Sequence, residues 1–115
     1  MKLIFVYNAK ASLANRTFDF AHKIISPSTY KCDLCTLTHG AIGERSEWTN
    51  FRNQSSVEME FYHIEEFENR YNRKETYPII FTSINDNLNL VLDCKAINGM
   101  NSTQELISAL SAKLD

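Results

Sequence analysis

The chain has 115 residues, of which 43% are hydrophobic, and a formal net charge of −2 from 12 basic and 14 acidic side chains. This length is typical of one domain and is sufficient to bury an apolar core without the support of a metal or a disulfide. The mixed charges argue against a nucleic-acid or membrane-surface partner, and no apolar run approaches the roughly 20 residues of a membrane span.

The absence of a secretory signal and of a membrane-spanning run predicts a cytoplasmic location, which bears on the state of the cysteines. Lys2 is followed by only five apolar residues, whereas the apolar region of a secretory signal has about 7–15. The chain has three cysteines, an odd number that cannot all pair with one another. In a reducing compartment we expect thiols that are free, metal-bound or redox-active.

The first half of the chain predicts a strand, a helix and a long loop. The apolar run over 2–7 is typical of a strand buried on both faces. A helix is expected from Ser12 to Ile25, because Ser12 can cap it and Pro27 disfavours helix at the residue before it. Residues 26–45 contain two of the three glycines and two of the three cysteines. They predict an irregular loop of a kind that is often functional. A short helix is then expected from Ser46 to about Asn53.

The second half predicts two strand and helix units. Alternating apolar residues over 57–63 indicate a half-buried strand, and 65–71 suits a short helix. Two apolar runs, over 79–84 and 88–94, flank the turn sequence Asn85-Asp86-Asn87 and predict an antiparallel hairpin. Ser102 and Glu105 form a capping box that begins the last helix. This helix is expected to bury Leu106, Ile107, Leu110 and Leu114.

This order of elements, together with Tyr77-Pro78 just before the strand over 79–84, resembles the thioredoxin-like fold superfamily. The resemblance implies a single α/β domain over 1–115. It also implies a three-layer sandwich, in which a mixed central sheet of about four strands carries helices on both faces. Pro78 occupies the position of that superfamily's cis-proline near the active site. The superfamily's Cys-x-x-Cys motif follows the first strand, where this chain has Asn8-Ala9-Lys10-Ala11.

Cys32-Asp33-Leu34-Cys35 is the sharpest motif in the sequence. Two intervening residues allow both sulfurs to face one point, which suits a reversible disulfide or two ligands of a zinc ion. Combined with the resemblance, the motif implies thiol–disulfide exchange with a protein partner and without a cofactor. Cys32 is then the attacking thiol, Cys35 the resolving thiol, and Pro78 shapes the contact with substrate.

Three alternatives remain open from the sequence. In the first, Cys32 and Cys35 are small buried apolar side chains with no chemistry. In the second, they bind zinc with His39 as a third ligand, and His22, His63 or Cys94 supplies the fourth. In the third, the domain is a non-catalytic binding or adaptor module. Its loop over 26–45 would contact a partner through Tyr30, Leu34 and Leu37, together with Trp48.

Overall fold

The computed structural model describes residues 1–8, 33–40 and 43–114. Within these ranges the strands are β1 (Lys2–Val6), β2 (His39–Gly40), β3 (Gly43–Glu44), β4 (Glu58–Tyr62), β5 (Ile79–Ile84) and β6 (Asn87–Leu92). The helices are α1 (Asp33–Thr38), α2 (Ser46–Gln54), α3 (Ile64–Tyr71), α4 (Cys94–Asn98) and α5 (Thr103–Leu114). The helix predicted over 12–25 lies outside the described residues.

Four strands form one mixed sheet in the order β4-β1-β5-β6. β1 pairs in parallel with β4 and antiparallel with β5, and β5 continues into β6 through an antiparallel hairpin. β1 is therefore an interior strand, which explains why its residues from Leu3 to Val6 are all fully buried. The predicted α/β class and four-stranded mixed sheet are confirmed. β2 and β3 form a separate two-stranded ladder.

The two faces of β1 belong to two apolar clusters. Leu3 and Phe5 lie in the larger one, which also receives side chains from α1, α2, α4 and α5. Ile4 and Val6 point the other way and pack with Phe67 of α3. Alternation along a strand sends successive side chains to opposite faces, so helices cover both sides of the sheet.

Most of the fully buried side chains on the helices belong to the larger cluster. Its fully buried members from the helices include Leu34, Cys35, Trp48, Ile97, Leu106 and Leu110. Each fully buried large apolar side chain contributes about 1.5–3 kcal/mol relative to an exposed one. The expected burial of the last helix is confirmed for Leu106 and Leu110, whereas Ile107 and Leu114 are partly buried.

The turn sequence predicted the position of the β5–β6 hairpin correctly, but the predicted end of its second strand is wrong. Asn85 and Asp86 both have positive φ, at 53° and 65°, as in the two-residue turns that suit hairpins. The strand prediction over 88–94 is wrong at its end, because β6 stops at Leu92. The Asp93 carboxylate caps α4 by accepting the Ala96 N–H at 2.8 Å, so Cys94 begins a helix.

The irregular loop predicted over 26–45 is wrong at residues 33–40 and 43–44. Residues 33–38 form α1, and 39–40 pair with 43–44 in the β2–β3 ladder. Leu34 and Leu37 are three positions apart and therefore share one helix face, which packs into the larger cluster. Among the described residues, no helix is long and apolar enough to cross a membrane.

Candidate functional site

Tyr7 and Pro78 lie next to the ends of two neighbouring strands, β1 and β5, at one end of the main sheet. Tyr7 directly follows β1 and is only 6% exposed. Val6 pairs with Ile79, so the residue after Val6 and the residue before Ile79 leave the ladder at the same edge. The Tyr77–Pro78 peptide bond is cis, and Pro78 is buried. This edge is the carboxyl end of β1, where ligands commonly bind in open α/β sheets.

α1 packs against this same edge and carries Cys35. The Tyr7 hydroxyl lies 3.2 Å from Oγ1 of Thr38, the last residue of α1. Leu34 and Cys35 are fully buried and belong to the same apolar cluster as Tyr7. The helix that contains the second cysteine of the motif is therefore held at the end of the sheet at which Pro78 precedes β5.

The last turn of α1 is held by hydrogen bonds from two other parts of the chain. A helix leaves its last four carbonyls without partners inside the helix. Arg45 supplies two donors, its backbone N–H to the Thr38 carbonyl at 2.8 Å and its Nε to the Thr36 carbonyl at 3.0 Å. The hydroxyl of Thr103, at the start of α5, donates to the buried Leu37 carbonyl at 2.6 Å. Because six residues are too few for a helix that is stable alone, these contacts define the position of α1.

The Thr38 hydroxyl is the centre of a buried hydrogen-bond cluster. It donates to the Leu34 carbonyl at 3.0 Å, with the Cys35 carbonyl further away at 3.4 Å. A hydroxyl has one proton and two acceptor lone pairs. The Tyr7 hydroxyl and Nδ1 of His39, the latter at 2.8 Å, also lie within hydrogen-bonding distance of the Thr38 hydroxyl.

An ion pair closes the cluster on the side of the β2–β3 ladder. Glu44, the ladder partner of His39, accepts two bonds from Arg52, at 2.9 Å from Nε and 2.7 Å from Nη2. It also accepts the Thr49 hydroxyl at 2.7 Å. Burial opposes ionisation of Glu44, but the hydrogen bonds from Arg52 and Thr49 outweigh it and hold the pKa of this carboxyl below its usual value. The ion pair thus fixes the ladder to α2.

Burial keeps the remaining titratable members of the cluster neutral near pH 7. It lowers the pKa of His39, and the nearby Glu44 carboxylate, which acts in the opposite direction, does not overcome it. Burial also raises the pKa of Tyr7, whereas its hydrogen bond with Thr38 acts in the opposite direction.

The two described cysteines differ in state and location. Cys35 takes part in a disulfide bond whose partner lies outside the described residues, and Cys94 is a free thiol. Cys94 is half-buried and lines an open groove of about 410 Å³ with Ile79 and Phe81, among others. Those two side chains belong to the cluster on the opposite face of the sheet from Cys35. The structure therefore does not bring Cys94 together with the motif.

The alternative zinc site is not assembled in the described part of the chain. No group of three His, Cys, Asp or Glu side chains converges there. Zinc binds thiolates, and the sulfur of Cys35 is instead part of a disulfide. His63 is the N-cap residue of α3, where its backbone N–H donates to Glu66 Oε1 at 3.2 Å and its Nδ1 lies 3.0 Å from that oxygen. Cys32 and His22 lie outside the described residues, so the zinc assignment stays a prediction.

The contact surface predicted for an adaptor is wrong for three of its four residues. Leu34 and Trp48 are fully buried and Leu37 is 7% exposed, so their side chains belong to the core and cannot meet a partner. Tyr30, the fourth residue, lies outside the described residues.

Sequence reasoning missed the polar residues that hold the site together. Nothing in the sequence connects Thr103 with Leu37, or Glu44 with Arg52, because these contacts depend on packing between elements. One signal was present: Thr38 follows Leu34 at helical spacing, which permits its hydroxyl to bond a carbonyl one turn earlier.

No protein-family model, curated protein or solved structure is significantly similar to this chain.

Proposed function

We propose that the chain is a thioredoxin-like domain that carries out thiol–disulfide exchange through Cys32 and Cys35. The observation that carries the proposal is the position of α1. The helix containing the disulfide-bonded Cys35 packs, through Thr38 and Tyr7, against the edge of the sheet at which Pro78 precedes β5. In the thioredoxin-like superfamily, which this chain resembles, a cysteine pair and a cis-proline face one another at this edge.

The strand pairing also supports the proposal. A parallel pair formed by the first and second strands of the main sheet, followed by an antiparallel hairpin next to the first strand, is the arrangement expected of a thioredoxin-like core. The cis bond before β5 agrees with the position assigned to Pro78 from the sequence. The chain departs from the superfamily in the sequence position of its cysteines. The superfamily's motif directly follows the first strand, whereas Cys32 and Cys35 come later in the chain.

Burial supports the division of roles between the two cysteines. Cys35 is fully buried, so an incoming thiol cannot reach its sulfur without opening the core. The chain has three cysteines and Cys94 is free, which makes Cys32 the disulfide partner that we propose. Cys32 is then the sulfur attacked from outside, and Cys35 is the leaving and resolving sulfur.

The exchange requires a thiol partner and no cofactor. A partner thiolate attacks the Cys32 sulfur, the Cys32–Cys35 bond breaks, and the Cys35 sulfur leaves with the electron pair and takes up a proton. A second partner thiolate then attacks the partner's sulfur in the mixed disulfide. The partner disulfide forms, and Cys32 is released as a thiolate that takes up a proton. Overall, the domain gains two electrons and two protons and the partner becomes a disulfide. In the reverse direction the domain reduces a partner disulfide.

Titration of the folded protein against a glutathione redox buffer tests the proposal. The fraction of oxidised protein is measured at each potential by alkylation and mass spectrometry. We expect a two-electron transition in the window of about −120 to −270 mV that is typical of exchange proteins. Cys35→Ser should accumulate a mixed disulfide at Cys32, because the resolving thiol is gone. Cys94→Ser is the matched control and should leave the transition unchanged.

Two results would contradict the exchange activity. One is a disulfide that persists unreduced across the whole buffer range, and the other is a Cys35→Ser variant that forms no mixed disulfide. Either result would identify the bond as purely structural and favour a non-catalytic binding domain.

A further inference from the structure

The hydrogen bond from Thr103 to α1 differs from the other contacts of this helix. It is short, at 2.6 Å, it is buried, and it joins residues that are 66 positions apart. Thr103 is 6% exposed and begins α5. Its acceptor, the Leu37 carbonyl, lies two residues after Cys35 along the same helix. The Thr38 hydroxyl, by contrast, bonds carbonyls of its own helix and contacts the Tyr7 hydroxyl at the longer distance of 3.2 Å.

We propose that Thr103 is a positioning residue for the Cys35 disulfide, which it stabilises relative to the dithiol by fixing the last turn of α1. The proposal rests on the exchange function proposed above. Thr103 does not take part in the exchange itself, since its hydroxyl proton is engaged with the Leu37 carbonyl. Its effect reaches the cysteine through the backbone of the helix.

The reason is the narrow geometry that a disulfide requires. The two Cβ atoms must lie about 3.5–4.5 Å apart, so closing the bond restricts the backbone on both sides of each cysteine. A helix as short as α1 is not stable alone and would lose conformational freedom on closure. When Thr103 has already fixed the turn, that loss is smaller and the dithiol closes more readily. Coupling of this kind is reciprocal, so the disulfide should in turn strengthen the docking of α1 on α5.

The chain offers variants that separate positioning from stability. Thr103→Val removes the hydroxyl and keeps the shape of the side chain, while Thr103→Ser keeps the donor. Ser102→Ala is the matched control. The Ser102 hydroxyl accepts the Glu105 N–H at 3.2 Å and caps the same helix, but it has no hydrogen bond with α1 within the described residues. Its loss weakens α5 without touching the Leu37 carbonyl.

The measurement is the glutathione equilibrium constant of each folded variant. Thr103→Val should shift it roughly three- to tenfold toward the dithiol, where tenfold corresponds to about 30 mV. Thr103→Ser and Ser102→Ala should remain within about twofold of the unmodified protein. An unshifted Thr103→Val, or an equal shift in Ser102→Ala, would overturn the positioning role. If the unmodified protein shows no transition at all, the exchange function itself fails.

Hydrogen exchange in the unmodified protein provides a second test, which stands even if Thr103→Val does not fold. The Arg45 N–H donates to the Thr38 carbonyl at the end of α1. The Ile97 N–H of α4 donates to the carbonyl of Asp93, the N-cap residue of that helix. Reduction of the disulfide should speed exchange at Arg45 several-fold and leave Ile97 unchanged. Equal rates at Arg45 in both redox states would show that the disulfide and the docking of α1 are uncoupled, against the proposal.

Discussion

Replacing Glu44 by Gln should destabilise the protein at neutral pH and have little effect in acid. Glu44 accepts two hydrogen bonds from Arg52 and one from Thr49. Gln occupies the same volume but has no charge, and its amide group would bring a donor against these donors. The carboxylate is only 25% exposed and the Arg52 side chain 31%, so water replaces the lost contacts incompletely.

The size of the effect follows from the charged hydrogen bonds. A hydrogen bond to a charged group contributes about 1.5–3 kcal/mol. The isosteric Gln keeps some of the contacts, so a loss of about 2 kcal/mol is expected near pH 7. With a urea dependence of about 2 kcal/mol per molar, this lowers the unfolding midpoint by about 1 M. Glu47→Gln is the control, because Glu47 is exposed on the same helix as Arg52 and forms no ion pair within the described residues.

The pH dependence tests the electrostatic part of this reasoning. The pKa of Glu44 lies below its usual 4.5 in the folded state. Its contribution is therefore fully present above about pH 4.5 and is lost as the pH falls through the lower folded pKa. Urea unfolding of both proteins from about pH 7 down to about pH 3 should show the difference shrinking toward zero. A difference that stays constant over this range would show that the loss arises from shape and not from charge.

Three further predictions concern stability alone. Leu110→Ala should lower the free energy of unfolding by about 2–5 kcal/mol, because it leaves a cavity in the larger cluster. Ser108 is exposed on the same helix, and Ser108→Ala should change this free energy by less than about 0.5 kcal/mol. Equal effects would show that α5 is not packed. In urea unfolding, Asp86→Gly should be about 1 kcal/mol more stable than Asp86→Ala. Both variants lose the ion pair with Arg70, but only Gly adopts the positive φ without an energetic cost. Equal stability would argue against the left-handed turn. In excess reductant and chelator the chain should still unfold cooperatively on heating, because its core is apolar. Loss of that transition would mean that a metal or the disulfide is required for folding.

Local signals predicted the elements that depend on local chemistry. The apolar run over 79–84 became β5 with the expected bounds, and the helix expected from Ser46 ends within one residue of its predicted end. The Asn85-Asp86 turn and the Ser102 cap form because their side chains and backbone preferences act over a few residues.

The errors arise where tertiary packing or a second local signal decides. A high content of Gly and Cys suggested a loop over 26–45, but Leu34 and Leu37 provide an apolar face that packing converts into a helix. Cys94 was placed at a strand end because the N-cap role of Asp93 was not recognised. The hydrogen bonds that hold α1 come from residues distant in sequence, and no pattern within a window of the chain could have shown them.

The distance in sequence between Thr103 and Leu37 also sets an order of events during synthesis. Ribosomes add about 5–20 residues per second, so the 66 residues between these two partners take roughly 3–13 s to emerge. Until α5 emerges, Leu106 and Leu110 are absent and the cluster that buries Cys35 is incomplete. The nascent cysteine therefore meets the redox buffer of its compartment before it is enclosed. Oxidation of this cysteine can thus precede the tertiary structure that later protects it.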